Sequence, residues 1–347
     1  MSTANLDAAD LIAVDVGGLI REDVLEAIFD ISRIPLPFTD SIGTGEGIEN
    51  PYTEWTTDDL GDPVLNAVVD GSDAGADEST TGLRVGNHSQ ESQKTYRVSQ
   101  RAQNADTIGR ANELAFQVMR GNQKIRRDVE QSLTLNQGSV ADDGNAQPGL
   151  IGGFPTWLTS SVTGGAGFAV GGFNTGTTNT DQYTPGTAIP ISETDVRDIA
   201  QSVYEEGGDP SILMSVPGVI RQLSEYMFTS SARIATLTRD TESKMTAAEA
   251  MGSVNVFITD FGVTLSMVSN RLQALTTDAT VVVVAFVFIY DPALANMGFL
   301  QGYRDAPLAK TGLADNRQIT VDYSLRVLNE AAHGMIGDVD PTLSGVA

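Results

Sequence analysis

The strongest constraint on the fold of this chain is a long helical pattern over residues 104–136, which contains no proline and only two glycines. Apolar or small residues recur along it mostly every three or four positions, at Ile108, Ala111, Ala115, Val118, Ile125, Val129 and Leu133. This spacing predicts an α-helix with one buried stripe, roughly 45–50 Å long at about 1.5 Å per residue. Such a helix needs an extended surface to pack on, although one long helix of an α+β enzyme would show the same pattern.

The opposite side of this helix is predicted to be charged. Two pairs of opposite charge stand four residues apart on it, Lys124 with Asp128 and Arg126 with Glu130. Side chains at this separation are neighbours on a helix, so we expect both pairs to form ion pairs. Either Asn104 or Asp106 is placed to cap the first turn.

Composition indicates a folded protein without a membrane partner. The chain has 347 residues and 41% hydrophobic content, which is enough for a core and for two domains. It has no cysteine, which excludes disulfides and thiolate metal sites. The most apolar run, residues 281–290, is too short to span a bilayer as a helix and predicts a buried strand. The first residues lack the pattern of a secretory signal, so we expect a soluble protein.

The charge balance narrows the partners. The chain has 45 acidic and 21 basic residues, a formal charge of −24. This surface would repel nucleic acid, which argues against sequence-specific DNA binding. Only four basic residues are lysines, Lys94, Lys124, Lys244 and Lys310. A high-salt environment, where screening relieves self-repulsion, and a GC-rich genome explain this composition equally well.

An excursion with little helix signal precedes the long helix. Strand-like segments at residues 66–69 and 83–87 flank a tip rich in Gly, Asp, Ser and Thr, which predicts a two-stranded arm. Isolated hairpins are marginally stable, so we expect this arm to pack on another subunit. The tip carries four acidic residues, Asp70, Asp73, Asp77 and Glu78. Their spacing does not match a calcium loop, which favours a solvated loop.

Strands and helices alternate in the second half of the chain. The glycine-rich residues 164–173 lack the flanking strand and helix of a dinucleotide fingerprint, so we interpret them as a mobile loop. Ser192 opens a capped helix and Pro217 a second one. With strands predicted at residues 212–216, 254–258, 263–268 and 281–290, this indicates an α/β-type unit over about 190–300. Apolar and polar residues alternate over residues 316–330, which predicts a long half-buried strand. The long helix would cover its apolar side.

No catalytic motif is present. His88 and His333 are the only imidazoles, and the chain contains no HExxH, GxSxG or phosphate-binding loop sequence. His333 is interpreted as a structural hydrogen-bonding residue. Carboxylate pairs are frequent in so acidic a chain by chance, so none is assigned to acid–base catalysis.

The order of several short motifs nevertheless resembles a known family. The most specific are Glu54-Trp55 and residues 126–130, 206–210, 260–262 and 309–337. In their order and spacing, over about residues 40–340, the chain closely resembles the major capsid proteins of tailed viruses (bacteriophages) with the Hong Kong 97-type fold. The specificity lies in the arrangement, since none of these motifs is catalytic.

The resemblance implies an α+β fold with a recognisable division. Its parts would be an N-terminal arm (1–48), an extended loop over a neighbouring subunit (49–86), a peripheral domain (87–150) with its spine helix (104–136), an axial domain (151–304), and a return to the peripheral domain (305–347) with a long strand (316–330). The acidity and the glycine-rich stretch at 160–180 are not diagnostic of the family.

The resemblance also implies a structural function. Such a chain self-assembles into the icosahedral shell that encloses the double-stranded DNA of a tailed virus, in hexameric and pentameric capsomers. Its expected partners are further copies of itself, a portal, scaffold, protease or decoration proteins, and packaged DNA through non-specific contact. No catalytic residue, cofactor or metal site is expected. The location would be the virion, and the host cytoplasm during assembly.

Five residues are chosen as interface or arm-anchoring candidates, although each could equally be an ordinary fold-stabilising residue: Glu54, Trp55, Arg84, Arg97 and Arg317. Two alternatives remain open. A cellular cargo compartment of the encapsulin kind would use the same fold, whereas an acidic soluble enzyme would need a deep pocket with paired carboxylates within residues 190–300.

Overall fold

A computed structural model describes residues 35–105, 112–229, 256–310 and 312–343, except for positions 59, 62, 74, 76–78, 80, 279 and 280. Within them the α-helices are α1 Pro37–Ile42, α2 Gln100–Asn104, α3 Glu113–Thr134, α4 Glu193–Glu205 and α5 Pro217–Thr229. The strands are β1 Tyr52–Thr57, β2 Leu83–His88, β3 Gln90–Ser99, β4 Ser161–Thr163, β5 Gly172–Asn174, β6 Asn179–Asp181, β7 Ile212–Ser215, β8 Val256–Ile258, β9 Thr264–Ser269, β10 Thr276–Thr277, β11 Val283–Tyr290, β12 Ala295–Pro307, β13 Ala314–Val327 and β14 His333–Val339.

The predicted long helix is present as α3, but it is shorter than residues 104–136. Asn104 is the last residue of the separate helix α2, and the following Ala105 is extended. Helix α3 begins after Asn112, whose backbone is extended and whose side-chain oxygen accepts a hydrogen bond from Ala115 N at 2.9 Å. Asn112 is therefore the cap, which corrects the choice of Asn104. The other cap candidate, Asp106, lies outside the described residues.

Helix α3 covers a three-stranded antiparallel sheet in the order β12-β13-β3. Alternate residues of β13 are buried, as the sequence predicted: Ile319, Val321, Tyr323, Leu325 and Val327. The helix buries Ile125, Val129 and Leu133 completely, whereas Ala115 is exposed. Val118 is partly buried and packs against the core. The predicted stripe is thus confirmed from Val118 to Leu133, whereas Ile108 and Ala111 lie outside the described residues.

The two predicted ion pairs along α3 are replaced by contacts to the sheet. Asp128 pairs instead with Lys94 of β3, Nζ to Oδ2 at 2.5 Å, and the Lys124 ammonium lies 5.9 Å from the centre of the Tyr96 ring. Arg126 likewise lies over Tyr303 of β12 at 5.2 Å. Because neighbouring strands offer partners on the flanks of the helix, its charged side is only partly a solvent face. Glu130, the fourth member of these pairs, is fully buried.

The strands of the predicted α/β unit lie in a seven-stranded sheet ordered β4-β14-β11-β7-β9-β8, with β10 on β11. Two of its strands, β4 and β14, come from outside the predicted residues 190–300. Helix α4 is capped by Ser192, which accepts a hydrogen bond from Thr194 N, and it is followed by Gly207 at φ 89°. Strand β11 is buried from Val284 to Tyr290, as its apolar sequence predicted. The glycine-rich segment expected to be a mobile loop instead contributes β5, which pairs with β6.

Each of the two large sheets contains a strand that the expected domain division assigned to the other domain. Strand β12 belongs to the three-stranded sheet, although most of it falls within the expected axial span 151–304. Strand β14 lies between β4 and β11 in the seven-stranded sheet, although it falls within 305–347. All seven residues of β14 are buried, and pairing on both edges satisfies their backbone groups. The chain therefore passes between the sheets more often than the sequence indicated.

The expected two-stranded arm has a different pairing from the one predicted. Residues 83–87 form a strand, β2, as expected, but its partner is β1, with Trp55 opposite Val85. Residues 66–69 are not in a strand and their side chains are exposed. Strand β1 is tied to the body through Trp55, which packs against the core.

Tight packing between α3 and its sheet depends on Gly121. A Cβ atom added there would come within 2.6 Å of Ile319 Cδ1 and closer still to Tyr96, distances that require the neighbours to shift. We predict that Gly121→Val destabilises the protein by about 1–3 kcal/mol through overpacking. Urea unfolding followed by circular dichroism measures this change. The matched control is Gln131→Val on the exposed side of α3, which should change the free energy of unfolding by less than about 0.5 kcal/mol; equal effects would contradict the packing argument.

His333 at the start of β14 is a buried neutral imidazole. Its Nε2 lies 3.4 Å from Leu294 O and its Nδ1 accepts a hydrogen bond from Asp291 N at 3.3 Å, an arrangement that fits the neutral ring with the proton on Nε2. Burial lowers the pKa of His333 to about 4, because the charged ring would lose its hydration. The sequence-based interpretation of His333 as a structural residue is consistent with this position.

The lowered pKa of His333 predicts acid sensitivity. Its contribution to stability is fully present above the unfolded pKa near 6.5 and is lost as the pH falls through about 4. The free energy of unfolding should therefore decrease by about 2 kcal/mol between pH 7 and pH 5 from this residue alone. His333→Gln should remove that part of the decrease, measured by urea unfolding at both pH values. His88→Gln, which removes a half-buried ring, should leave most of it, and an unchanged slope in His333→Gln would refute the assignment.

Candidate assembly surfaces

The segment between β1 and β2 presents aliphatic side chains that nothing in the described chain covers. Its exposed residues are Leu60, Val64, Leu65, Val68 and Val69, with Leu83 at the start of β2. Leu60 and Leu65 are as accessible as in an extended chain. Several aliphatic side chains exposed to this degree within one short segment indicate an interaction surface.

The base of this segment contains three of the five candidate residues. Glu54 and Arg84 form an ion pair on one face of the β1–β2 ladder. On the other face, Trp55 packs on Trp157 with ring centres 5.2 Å apart. The Trp55 Nε1 is buried and has no hydrogen-bond partner among the described residues. These three residues lie together where the exposed segment joins the body.

The other two candidates lie elsewhere and on different faces. Arg97 is in β3 opposite Asn316, whereas Arg317 is in β13 opposite Tyr96. Side chains alternate along a strand, so the two arginines point to opposite sides of the three-stranded sheet. Arg317 forms an ion pair with Asp305 Oδ2 at 2.8 Å across the β12–β13 hairpin. The five candidates therefore do not form one site.

A cleft of about 760 Å³ lies beneath the exposed segment. Trp157 and Phe173 form one wall, stacked 6.0 Å apart, and Glu330 lies at its edge. The Glu330 carboxylate accepts hydrogen bonds from Thr159 N at 3.1 Å and from Ser160 Oγ at 2.5 Å. This carboxylate is therefore engaged in holding the chain after the Phe154–Thr156 turn.

A buried polar cluster around Glu130 was not anticipated from the sequence. The Glu130 carboxylate accepts hydrogen bonds from Phe38 N at 2.9 Å, Thr39 N at 2.8 Å and Thr39 Oγ1 at 2.5 Å. It accepts a fourth from Asn270 Nδ2 at 2.7 Å. Burial raises the pKa of Glu130, while these hydrogen bonds act in the opposite direction. The pattern at i,i+4 favoured Arg126 as the partner, and no sequence signal identified Asn270 or Thr39.

An aromatic anchor lies beside this carboxylate. Phe38 is fully buried, with its ring 5.1 Å from that of Phe154 and 5.6 Å from that of Tyr290. The Tyr290 hydroxyl and Ser41 Oγ are 2.7 Å apart. Helix α1 is therefore held to the body by the buried Phe38 ring, by the Glu130 hydrogen bonds and by the contact of Ser41 with Tyr290.

A second buried carboxylate orders the glycine-rich region. Asp338 Oδ2 accepts hydrogen bonds from Tyr183 Oη at 2.7 Å, Gly186 N at 2.9 Å and Gly165 N at 3.0 Å. Burial and the neighbouring Asp338 raise the pKa of Tyr183 far above its ordinary value, so the phenol stays protonated as the donor. These contacts explain why residues expected to be mobile pack against β14.

None of these clusters resembles a site for catalysis or for a bound ion. Among the described residues, no group of three or more histidine or acidic side chains is arranged to hold a metal. Along the same residues, no helix combines the length and apolar composition needed to cross a membrane. The surfaces that stand out are those that would meet another chain.

Comparisons with known proteins identify the family. The sequence model of the SU10 major capsid protein family matches residues 3–340. The chain is 25% identical over 331 residues to the major capsid protein of Escherichia phage Phieco32, covering 86% of this chain and 89% of that protein.

Solved structures with low sequence identity show the same fold. One from Mycobacterium phage Adephagia has a TM-score of 0.57 at 14% identity and covers 97% of this chain and 99% of that one. The SrpI encapsulin complex of Synechococcus elongatus PCC 7942 has a TM-score of 0.55 at 9% identity and covers 99% of both chains. The fold is thus shared between phage capsids and an encapsulin, and the family match distinguishes them.

The predicted resemblance, the α+β Hong Kong 97-type fold and the structural function are therefore confirmed. The chain belongs to the SU10 major capsid protein family, and it is a major capsid protein of a tailed phage, a subunit of an icosahedral shell rather than an enzyme.

Proposed function

We propose that this chain assembles as hexameric and pentameric capsomers around packaged double-stranded DNA, and that residues 49–86 are the extended loop that overlaps a neighbouring subunit. The observation that carries the proposal is the run of exposed aliphatic side chains from Leu60 to Val69. Fully burying one such side chain contributes roughly 1.5–3 kcal/mol. A second copy of this chain is the partner that a shell supplies at every position.

The charge of the loop explains why assembly would depend on salt. Residues 58–82 contain seven acidic residues and no lysine or arginine, and each subunit carries a formal charge of −24. Copies that meet through this loop repel each other, and salt screens that repulsion over about 8–10 Å at physiological ionic strength. Shell stability should therefore rise with salt.

The interface candidates take different roles in this proposal. Glu54, Trp55 and Arg84 set the direction in which the loop leaves the body, because they join β1 to β2 and to Trp157. Arg97 and Arg317 lie on opposite faces of the three-stranded sheet and would meet different neighbours. Contact with packaged DNA would be non-specific, because it would be made to the charge of the phosphates and not to the base sequence.

The family resemblance implies further protein partners during and after assembly. A portal occupies one vertex, and scaffold, protease or decoration proteins act during assembly or on the finished surface. Assembly would take place in the host cytoplasm and end in the virion. The encapsulin-type compartment shares the fold, but the family match favours the phage shell.

The first test is negative-stain electron microscopy of the purified chain at low and at molar salt. We expect shells, or rings of five or six subunits, with more intact shells at molar salt. A monomer at every salt and protein concentration would contradict the proposal. Shells that loosen as salt rises would contradict the charge argument while leaving assembly established.

The loop is tested by a double variant, Leu65→Ser with Val68→Ser. Both side chains are exposed, so the free energy of unfolding of the subunit should change by less than about 0.5 kcal/mol. The yield of shells in sedimentation should fall by about tenfold or more, because each lost contact recurs in every subunit. Asn66→Ala, in the same exposed segment, should leave the yield unchanged. Normal assembly of the double variant would show that the loop does not make this contact.

A further inference from the structure

We propose that Glu130 is a positioning residue for assembly, which fixes the orientation of α1 and of Pro35, the residue to which the preceding chain is joined. Its carboxylate holds α1 against the body, and shell closure depends on this contact whereas the fold of the subunit does not. The inference rests on the proposed function, because it concerns the arm expected at residues 1–48.

Glu130 supplies the cap that α1 lacks. The first N–H groups of a helix have no partner within the helix, and α1 has no side-chain cap of its own at Leu36. Glu130, 92 residues later in the chain than Phe38, accepts the free N–H groups of Phe38 and Thr39. A helix of six residues is too short to be stable alone. The orientation of α1 is therefore set from outside.

The contacts around α1 are of two kinds: the apolar packing of Phe38, which we call the anchor, and the hydrogen bonds of Glu130, which we call the clasp. Phe38 contributes apolar burial against Phe154 and Tyr290, but ring packing tolerates rotation of a short helix. The four directional hydrogen bonds of Glu130 do not, because they fix two consecutive backbone N–H groups and the Thr39 hydroxyl relative to Asn270. Glu130 thus sets orientation, while Phe38 supplies much of the burial.

Two prolines carry this orientation outward from the clasp. Pro37 is the first residue of α1, and Pro35 stands two positions before it. Proline fixes its own φ and restricts the residue before it, so Leu36 is constrained by the proline that follows it. Pro35 is exposed, so the residue to which the preceding chain is joined lies at the surface. A change in the orientation of α1 is therefore transmitted to Pro35.

Burying a carboxylate to hold a helix costs free energy, because the charged group loses its hydration. This favours a positional role for Glu130 over a purely stabilising one. No described lysine or arginine forms a salt bridge with Glu130, which is fully buried, and buried charge is weak evidence for net stability. An apolar residue would leave the two backbone N–H groups unsatisfied. An amide would turn an N–H donor toward a site where all four observed partners donate. Only a carboxylate accepts from all four.

The test uses the full-length chain and the variants Glu130→Gln and Thr39→Val. On unassembled subunits, limited proteolysis within residues 35–42 should be about tenfold faster in Glu130→Gln, because local opening becomes easier. The yield of shells should fall by about fivefold or more. Thr39→Val, which removes the hydroxyl but keeps the N–H, should shift both measurements in the same direction by a smaller factor. If Glu130→Gln does not fold, Thr39→Val carries the comparison.

The matched control is Ile319→Ala, which thins the contact of β13 with Gly121, about 13 Å along α3 from Glu130. Compared with Glu130→Gln at an equal loss of thermal stability, Ile319→Ala should have nearly the wild-type rate of proteolysis within residues 35–42. Its yield of shells should also be close to that of the wild type. Equal losses of yield in both variants would overturn the inference, since stability alone would then explain them. Normal shells of Glu130→Gln would also overturn it and leave the proposed function intact. Absence of shells from the wild-type chain would instead refute the proposed function.

Discussion

The packing of α3 is the interaction on which the rest of this structure depends. One end of the helix lies on β3 and β13, so closely that Gly121 has no room for a side chain. The other end, with Glu130 and Leu133, meets α1 and the chain after β9. A single rigid element thus joins the three-stranded sheet to segments near the seven-stranded one. The helix cannot move relative to either without breaking buried contacts.

Two opposing interactions govern the association of these subunits in solution. Exposed aliphatic residues between β1 and β2 favour association, while the formal charge of −24 opposes it. The apolar term acts at contact, whereas the electrostatic term acts over a distance that salt controls. A shell protein needs both, because association must be strong enough to close a shell and weak enough to allow misplaced subunits to leave. The balance between them, rather than either alone, would set the conditions of assembly.

The fold alone does not distinguish a phage shell from a cellular compartment. The likeness to an encapsulin and to a phage protein is nearly equal, with TM-scores of 0.55 and 0.57. The same arrangement of sheets and spine helix therefore serves both, at sequence identities of 9% and 14%. The family assignment comes from the sequence, over residues 3–340, and this is the level at which function separates within a shared fold.

The sequence by itself determined the elements whose pattern is periodic and local. The buried half of α3, the alternation of β13 and the cap at Ser192 were all predicted, because each follows from the spacing of neighbouring residues. The order of short motifs also identified the family. The tertiary structure decided the rest: that β1 and not residues 66–69 pairs with β2, that β14 joins the seven-stranded sheet, and that Glu130 is buried. Each of these depends on partners far apart in the chain, such as Asn270 for Glu130, and local periodicity carries no information about which distant segment supplies a partner.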